Sequence, residues 1–194
     1  MIRVSGLVAA AALALVSLPA QAIPFLFSAH MSGLNEVPPN ASTATGFTGV
    51  ILNQGTNTIQ VFVNYSGLIG GTPSAAHIHC CTAPGTNVGV AVGFTGFPTT
   101  LSGSYSHIFD LTDPAIYTAA FRTNFGGGTA AGAEAALIAG LFAGTAYSNI
   151  HNQTFPGGEI RGLLQVPEPA SLGLLGFGLA AFGFLRRRRT ISSS

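Results

Sequence analysis

The chain has 194 residues, enough for one domain of ordinary size, and only 7% of them are charged, with seven Arg and no Lys. Five Arg lie near the ends, so residues 23–165 hold Arg122 and Arg161 against Glu36, Asp110, Asp113, Glu134 and Glu159, a net of −3. A mildly acidic body without a basic patch excludes nucleic acid as a partner, because that interaction needs clustered cations to displace counterions.

Residues 1–22 have the form of a secretory signal peptide. Arg3 supplies the positive start, residues 4–18 are nearly all apolar, and Ala20-Gln21-Ala22 is a small-residue cleavage site, so cleavage is expected after Ala22. A retained anchor fits less well, because the apolar run is short for a span of ~20 residues. Residues 23–165 form the expected β-domain.

That body is rich in Gly, Thr, Ser and Asn, and turn residues punctuate its short apolar runs, a pattern that predicts an all-β antiparallel β-sandwich of superoxide dismutase or immunoglobulin type. Strands are expected at 25–31, 47–52, 58–65, 75–80, 88–92, 105–110, 146–151 and 159–164. The clearest is 58–65, where Ile59, Val61, Val63 and Tyr65 alternate with more polar residues. Asn53-Gln54-Gly55-Thr56-Asn57 predicts a hairpin turn between the second and third strands. Two short helical insertions are expected, one opened by Asp113-Pro114 and one over 131–143, ended by Gly144.

The chain then reaches Val166-Pro167-Glu168-Pro169-Ala170-Ser171, an apolar run over 172–185, and Arg186, Arg187, Arg188 and Arg189. A 14-residue helix is about 21 Å long, short of a ~30 Å hydrocarbon core, although snorkelling Arg side chains and flanking residues make up part of the difference. The Arg cluster favours a cytoplasmic end, with the body outside. Taken together, residues 166–189 resemble a PEP-CTERM sorting signal. The resemblance implies a bacterial envelope in which an exosortase-like membrane protease removes the tail after signal peptidase has removed the leader. The body would pass from a transiently membrane-anchored precursor to the cell surface or extracellular matrix. A plain C-terminal anchor is the alternative.

Four ordered segments of the body carry a second resemblance: Gly33-Leu34-Asn35-Glu36-Val37-Pro38-Pro39, Ala75-Ala76-His77-Ile78-His79, Ala143-Gly144-Thr145-Ala146-Tyr147-Ser148-Asn149-Ile150-His151 and Pro156-Gly157-Gly158-Glu159-Ile160-Arg161-Gly162. In order and content they are similar to the CHRD domain, named from chordin and shared with bacterial secreted proteins. This implies a β-rich extracellular module and assigns no activity.

Chemistry concentrates in the same segments. His77 and His79, two apart in a strand, share one face and leave Ile78 on the other. If the last two strands pair so that His151 faces Glu159, Asn149 faces Arg161. Docked together, His77, His79, His151 and Glu159 would offer three nitrogens and one oxygen, a donor set suited to zinc or copper. The alternative is a structural polar network that pins strand register, with Asn35 and Glu36 taking loop amides in the same cluster. Ala76-His77-Ile78-His79 is also similar to the His-x-His copper-ligand strand of copper/zinc superoxide dismutases, but no further ligands match and no dismutase activity follows. His30 and His107 lack telling partners.

Cys80 and Cys81 are the only cysteines. In an oxidising compartment they can form a bridge between neighbours, bridges to another chain, or thiolate ligands, in that order of preference. No Gly-x-Ser-x-Gly elbow or phosphate-binding loop is present. The expectation is a non-enzymatic envelope or exopolysaccharide-associated module; the rival is a zinc- or copper-binding protein, with redox activity as an option of that rival.

Overall fold

The computed structural model describes residues 23–167. The expected signal peptide, the apolar run 172–185, Glu168, Pro169 and the Arg cluster lie outside the described residues.

Among the described residues, alternating apolar side chains build eight strands: β1 Phe25–Ser32, β2 Thr45–Asn53, β3 Thr58–Ser66, β4 Ala75–Cys80, β5 Val90–Gly93, β6 Gly103–Asp110, β7 Ala146–His151 and β8 Ile160–Leu163. In β3 the pattern is strict, with Ile59, Val61, Val63 and Tyr65 all buried on one face. Two helices join them, α1 Ala119–Phe125 and α2 Ala130–Phe142. Asp113 caps the expected short turn, here a 3-10 helix over Pro114–Ile116, by accepting from the Ala115 amide at 2.8 Å.

The all-β antiparallel fold with short helical insertions forms as expected, but as one sheet, ordered β5-β4-β7-β8-β1-β2-β3-β6. The sheet curls until its two halves face each other. Thr48 on β2 donates to the Ser148 hydroxyl on β7 at 3.1 Å, although β8 and β1 lie between those strands. Near the two edge strands, Phe94, just beyond β5, stacks on Tyr105 of β6 with ring centroids 5.4 Å apart. Phe27, Leu52, Ile59, Ile78, Ile150, Ile160 and Leu164 fill the interior, each fully buried and each worth ~1.5–3 kcal/mol of transfer free energy.

Helix α2 closes this interior through Leu137 and Leu141. Its Gly140 lies against the Cys80–Cys81 disulfide, where an added Cβ would fall 2.2 Å from the Cys80 sulfur, so the helix approaches that closely only with glycine there. Helix α1 was not expected from the sequence. It is seven residues long, too short for helical periodicity to register, and Thr118 starts it by accepting from the Phe121 amide at 3.1 Å.

Candidate functional site

Pleating places Tyr147, Asn149 and His151 of β7 on the face of the sheet opposite Ala146, Ser148 and Ile150. On β4 the inward residues are Ala76 and Ile78, leaving His77 and His79 on that same outer face. His77 pairs across the ladder with Asn149, His79 with Tyr147, and Asn149 with Arg161 of β8, the register expected for the last hairpin. His151, one step further along β7, leans over the β4 pair. Ring centroids are 5.5 Å apart for His77–His79, 5.1 Å for His77–His151 and 5.9 Å for His79–His151. One ring nitrogen from each of the three lies within 4.8 Å of the others.

Backbone carbonyls orient two of the rings. His79 donates from Nδ1 to the Val88 carbonyl at 2.7 Å, and His151 donates from Nδ1 to the Pro156 carbonyl at 2.9 Å. Each neutral ring therefore keeps its Nε2 lone pair free of a proton. His79 Nε2 and His77 Nδ1 are buried without a hydrogen-bond partner. His151 Nε2 sits 2.9 Å from the Asn149 side-chain oxygen, while the nitrogen of that amide has no partner. Turned by 180°, the Asn149 amide would donate to the ring instead.

Beside the histidines lies a buried ion pair. Arg161 Nε is 3.0 Å from Glu36 Oε2, with both side chains at most 6% exposed. The same guanidinium donates to the Asn87 side-chain oxygen at 2.5 Å and stands 4.0 Å above the ring of Tyr147, on which His79 stacks at 4.7 Å. Asn35 donates to the Arg161 carbonyl at 3.1 Å. The 82–89 loop and the turn at Gly33–Asn35 are thus both tied to β8.

Two expectations need correction. Glu159 does not join the imidazoles. The ladder starts only at Ile160, and Gly158, at φ +127°, redirects the chain just before it, so the pleat that register arithmetic assumes does not extend to Glu159. The Glu159 carboxylate instead accepts from Ser42 Oγ at 2.7 Å, from the amides of Ile69 at 2.8 Å and Gly70 at 3.2 Å, and from Asn152 Nδ2. It takes the loop amides that had been expected of Glu36, whose carboxylate pairs with Arg161. Sequence reasoning also missed Tyr147, Asn87 and Val88. Tyr147 was legible, two residues before Asn149 on the same face; Asn87 and Val88 sit in a loop without periodicity.

Cys80 and Cys81 are bonded to each other through a cis peptide where β4 ends, the first of the three expected arrangements. His30 and His107 are exposed and stand outside the histidine cluster.

Burial, reinforced by the neighbouring imidazoles, holds His77 down at about 4. Burial also holds His79 at about 4, against the Val88 hydrogen bond. His151 is lowered as well, chiefly by burial. Burial pushes Glu36 up to about 7 against the pull of Arg161. The lowered imidazoles contribute stability that is full above the unfolded value near 6.5 and lost as pH falls toward 4. The raised Glu36 acts oppositely, contributing fully below about 4.5 and losing that contribution as pH rises to about 7. With three imidazoles against one carboxyl, the body is expected to gain about 1–3 kcal/mol between pH 4.5 and 6.5, discounted for partial exposure. Calorimetric melting in that window should show Tm rising by several degrees, with a shallower rise in His77→Gln; a flat or falling profile would contradict the assignment.

Among known protein families, the CHRD domain matches residues 27–164 and the PEP-CTERM protein-sorting motif matches residues 165–189. No curated protein and no solved structure gives a significant match.

Proposed function

Because the chain belongs to the CHRD domain family and carries a PEP-CTERM protein-sorting motif, we propose that it is a non-enzymatic structural or binding module of the cell envelope or exopolysaccharide matrix. The sorting motif marks the chain for export and for handling at the membrane by an exosortase system, and the CHRD domain is of extracellular type.

The observation that carries the reading is where the fold closes. Gln165 pairs with Ser28 of β1 through backbone hydrogen bonds of 2.8 and 3.1 Å, and Leu164 is the last fully buried residue among those described. The sorting motif begins at that same residue, 165. Cleavage in the Val166–Pro169 neighbourhood would therefore release a body with its core and sheet complete. A disulfide between neighbours suits an oxidising destination, where free thiols do not persist.

The test is fractionation of a host with and without its exosortase, following the body with an antibody. With the protease, a tail-free body should collect in the surface and matrix fractions. Without it, a longer form should stay with the membrane. Recovery of the body from cytoplasm with both ends intact would overturn the reading, and loss of matrix material in a deletion strain would strengthen the structural role over a purely passive one.

A further inference from the structure

We propose that His77, His79 and His151 form a binding site for one divalent zinc or copper ion on the outer face of the β4–β7 ladder, with the fourth coordination position left to water or an exogenous ligand. Three observations carry it. The three candidate nitrogens already lie within 4.8 Å of one another; in a tetrahedral site with ~2.0–2.1 Å metal–nitrogen bonds they would stand about 3.3–3.4 Å apart, a closure that side-chain rotation supplies. His79 and His151 each give Nδ1–H to a backbone carbonyl, the outer hydrogen bond that metal-binding imidazoles generally make, and at His151 Nε2 the ion would displace the Asn149 amide now 2.9 Å away. Finally, His77 Nδ1 and His79 Nε2 are buried with nothing to bond. A purely structural network would satisfy its members, so two buried ring nitrogens without partners, beside a third imidazole, argue against it.

Soft thiolates do not contribute, since both sulfurs are committed to the disulfide, and Glu159 is engaged on other partners. Three imidazoles without thiolate or carboxylate suit zinc and copper(II) better than magnesium or calcium, which prefer oxygen. Arg161 would repel the ion, but Glu36 neutralises it at 3.0 Å. His77 and His151 are only partly buried, so an ion reaches the cluster without unfolding of the sheet.

The experiment is calorimetric titration of the untagged body, residues 23–165, whose core closes without the tail, after dialysis against chelator. Zinc chloride and copper(II) sulfate are added separately at pH 7.5. The expected result is one ion per chain at submicromolar Kd, with copper the tighter. Tm should rise by several degrees at a hundredfold excess over Kd. His77→Ala, whose buried Nδ1 has no partner to strand, and His151→Ala should each weaken binding by at least a hundredfold while melting cooperatively. His107→Ala should bind as the parent does. No uptake of either metal by the folded parent overturns the proposal, as does uptake that His77→Ala and His151→Ala leave undiminished. Calcium or magnesium binding at this cluster in place of zinc and copper would overturn it too. Surface or matrix delivery is read independently by fractionation, so either proposal can fail alone.

Discussion

A Glu159→Ala chain is expected to lose most of its folding free energy, making it the most damaging single substitution in the polar interior. Glu159 has no solvent exposure, and its carboxylate is the acceptor for Ser42 Oγ, the Ile69 and Gly70 amides and Asn152 Nδ2. These donors come from three separated stretches of chain, around residues 42, 70 and 152, so one side chain ties three loops to the start of β8. Removing it strands four donors at about 1–3 kcal/mol each. Even the low end, about 4 kcal/mol, is a large part of the ~5–15 kcal/mol that a domain of this size possesses. Glu159→Gln keeps the shape but points an amide N–H at groups that themselves donate, so it should fall between parent and alanine. Urea unfolding followed by circular dichroism measures both. A Glu159→Ala midpoint equivalent to less than about 1 kcal/mol of loss would mean that water takes over the four donors, and that the carboxylate does not organise these loops.

Glu159 also marks the boundary of what the sequence could reveal. Period-2 alternation located the strands to within about two residues at most ends, and the arithmetic of an antiparallel hairpin placed Asn149 opposite Arg161 correctly. That arithmetic is purely local: it follows from a regular pleat and fails where the pleat stops. Gly158 stops it, and Glu159 turns to partners as far as 117 residues away in sequence. His77 and His79 were legible because their common face depends only on spacing within one strand, whereas the carbonyls that orient His79 and His151 belong to loops. Nothing in the 82–89 segment announces that it will fold back over Tyr147 and Arg161. The curl of one sheet, in place of two stacked sheets, was hidden for a related reason. It rests on the order β7-β8-β1-β2, which joins the two ends of the body side by side, and long-range pairing leaves no periodic trace in either strand. The neighbour disulfide was the preferred of three arrangements that the sequence left open, since the chain offers no third cysteine within it to pair with.

Arg161→Met should be the second most damaging change, and its cost should depend on pH. The substitution preserves much of the aliphatic stem beside Tyr147 but removes the cation that faces Glu36, the hydrogen bond to Asn87 and the contact with the Tyr147 ring. A carboxylate left alone at 3% exposure is worth a loss of about 3–5 kcal/mol when it must stay ionised. Burial already pushes Glu36 up to about 7 with Arg161 present, so without the arginine the carboxyl rises further and becomes neutral over more of the pH range. The loss should therefore be greatest near pH 8, where protonating Glu36 costs most, and should shrink toward pH 5, where the neutral acid forms freely. Glu36→Gln combined with Arg161→Met removes both charges and should recover a substantial part of the stability at pH 8, leaving a smaller cost from the lost Asn87 and Tyr147 contacts. Equilibrium unfolding of the two single variants and the double variant at both pH values gives the coupling energy directly. If the double variant is no more stable than Arg161→Met alone, the guanidinium serves mainly as a clamp between β8 and the 82–89 loop, and neutralising Glu36 is incidental. Recovery confined to pH 8 would instead locate the pair's contribution in charge compensation, which is the condition under which three neighbouring imidazoles could accept a cation without Arg161 opposing it.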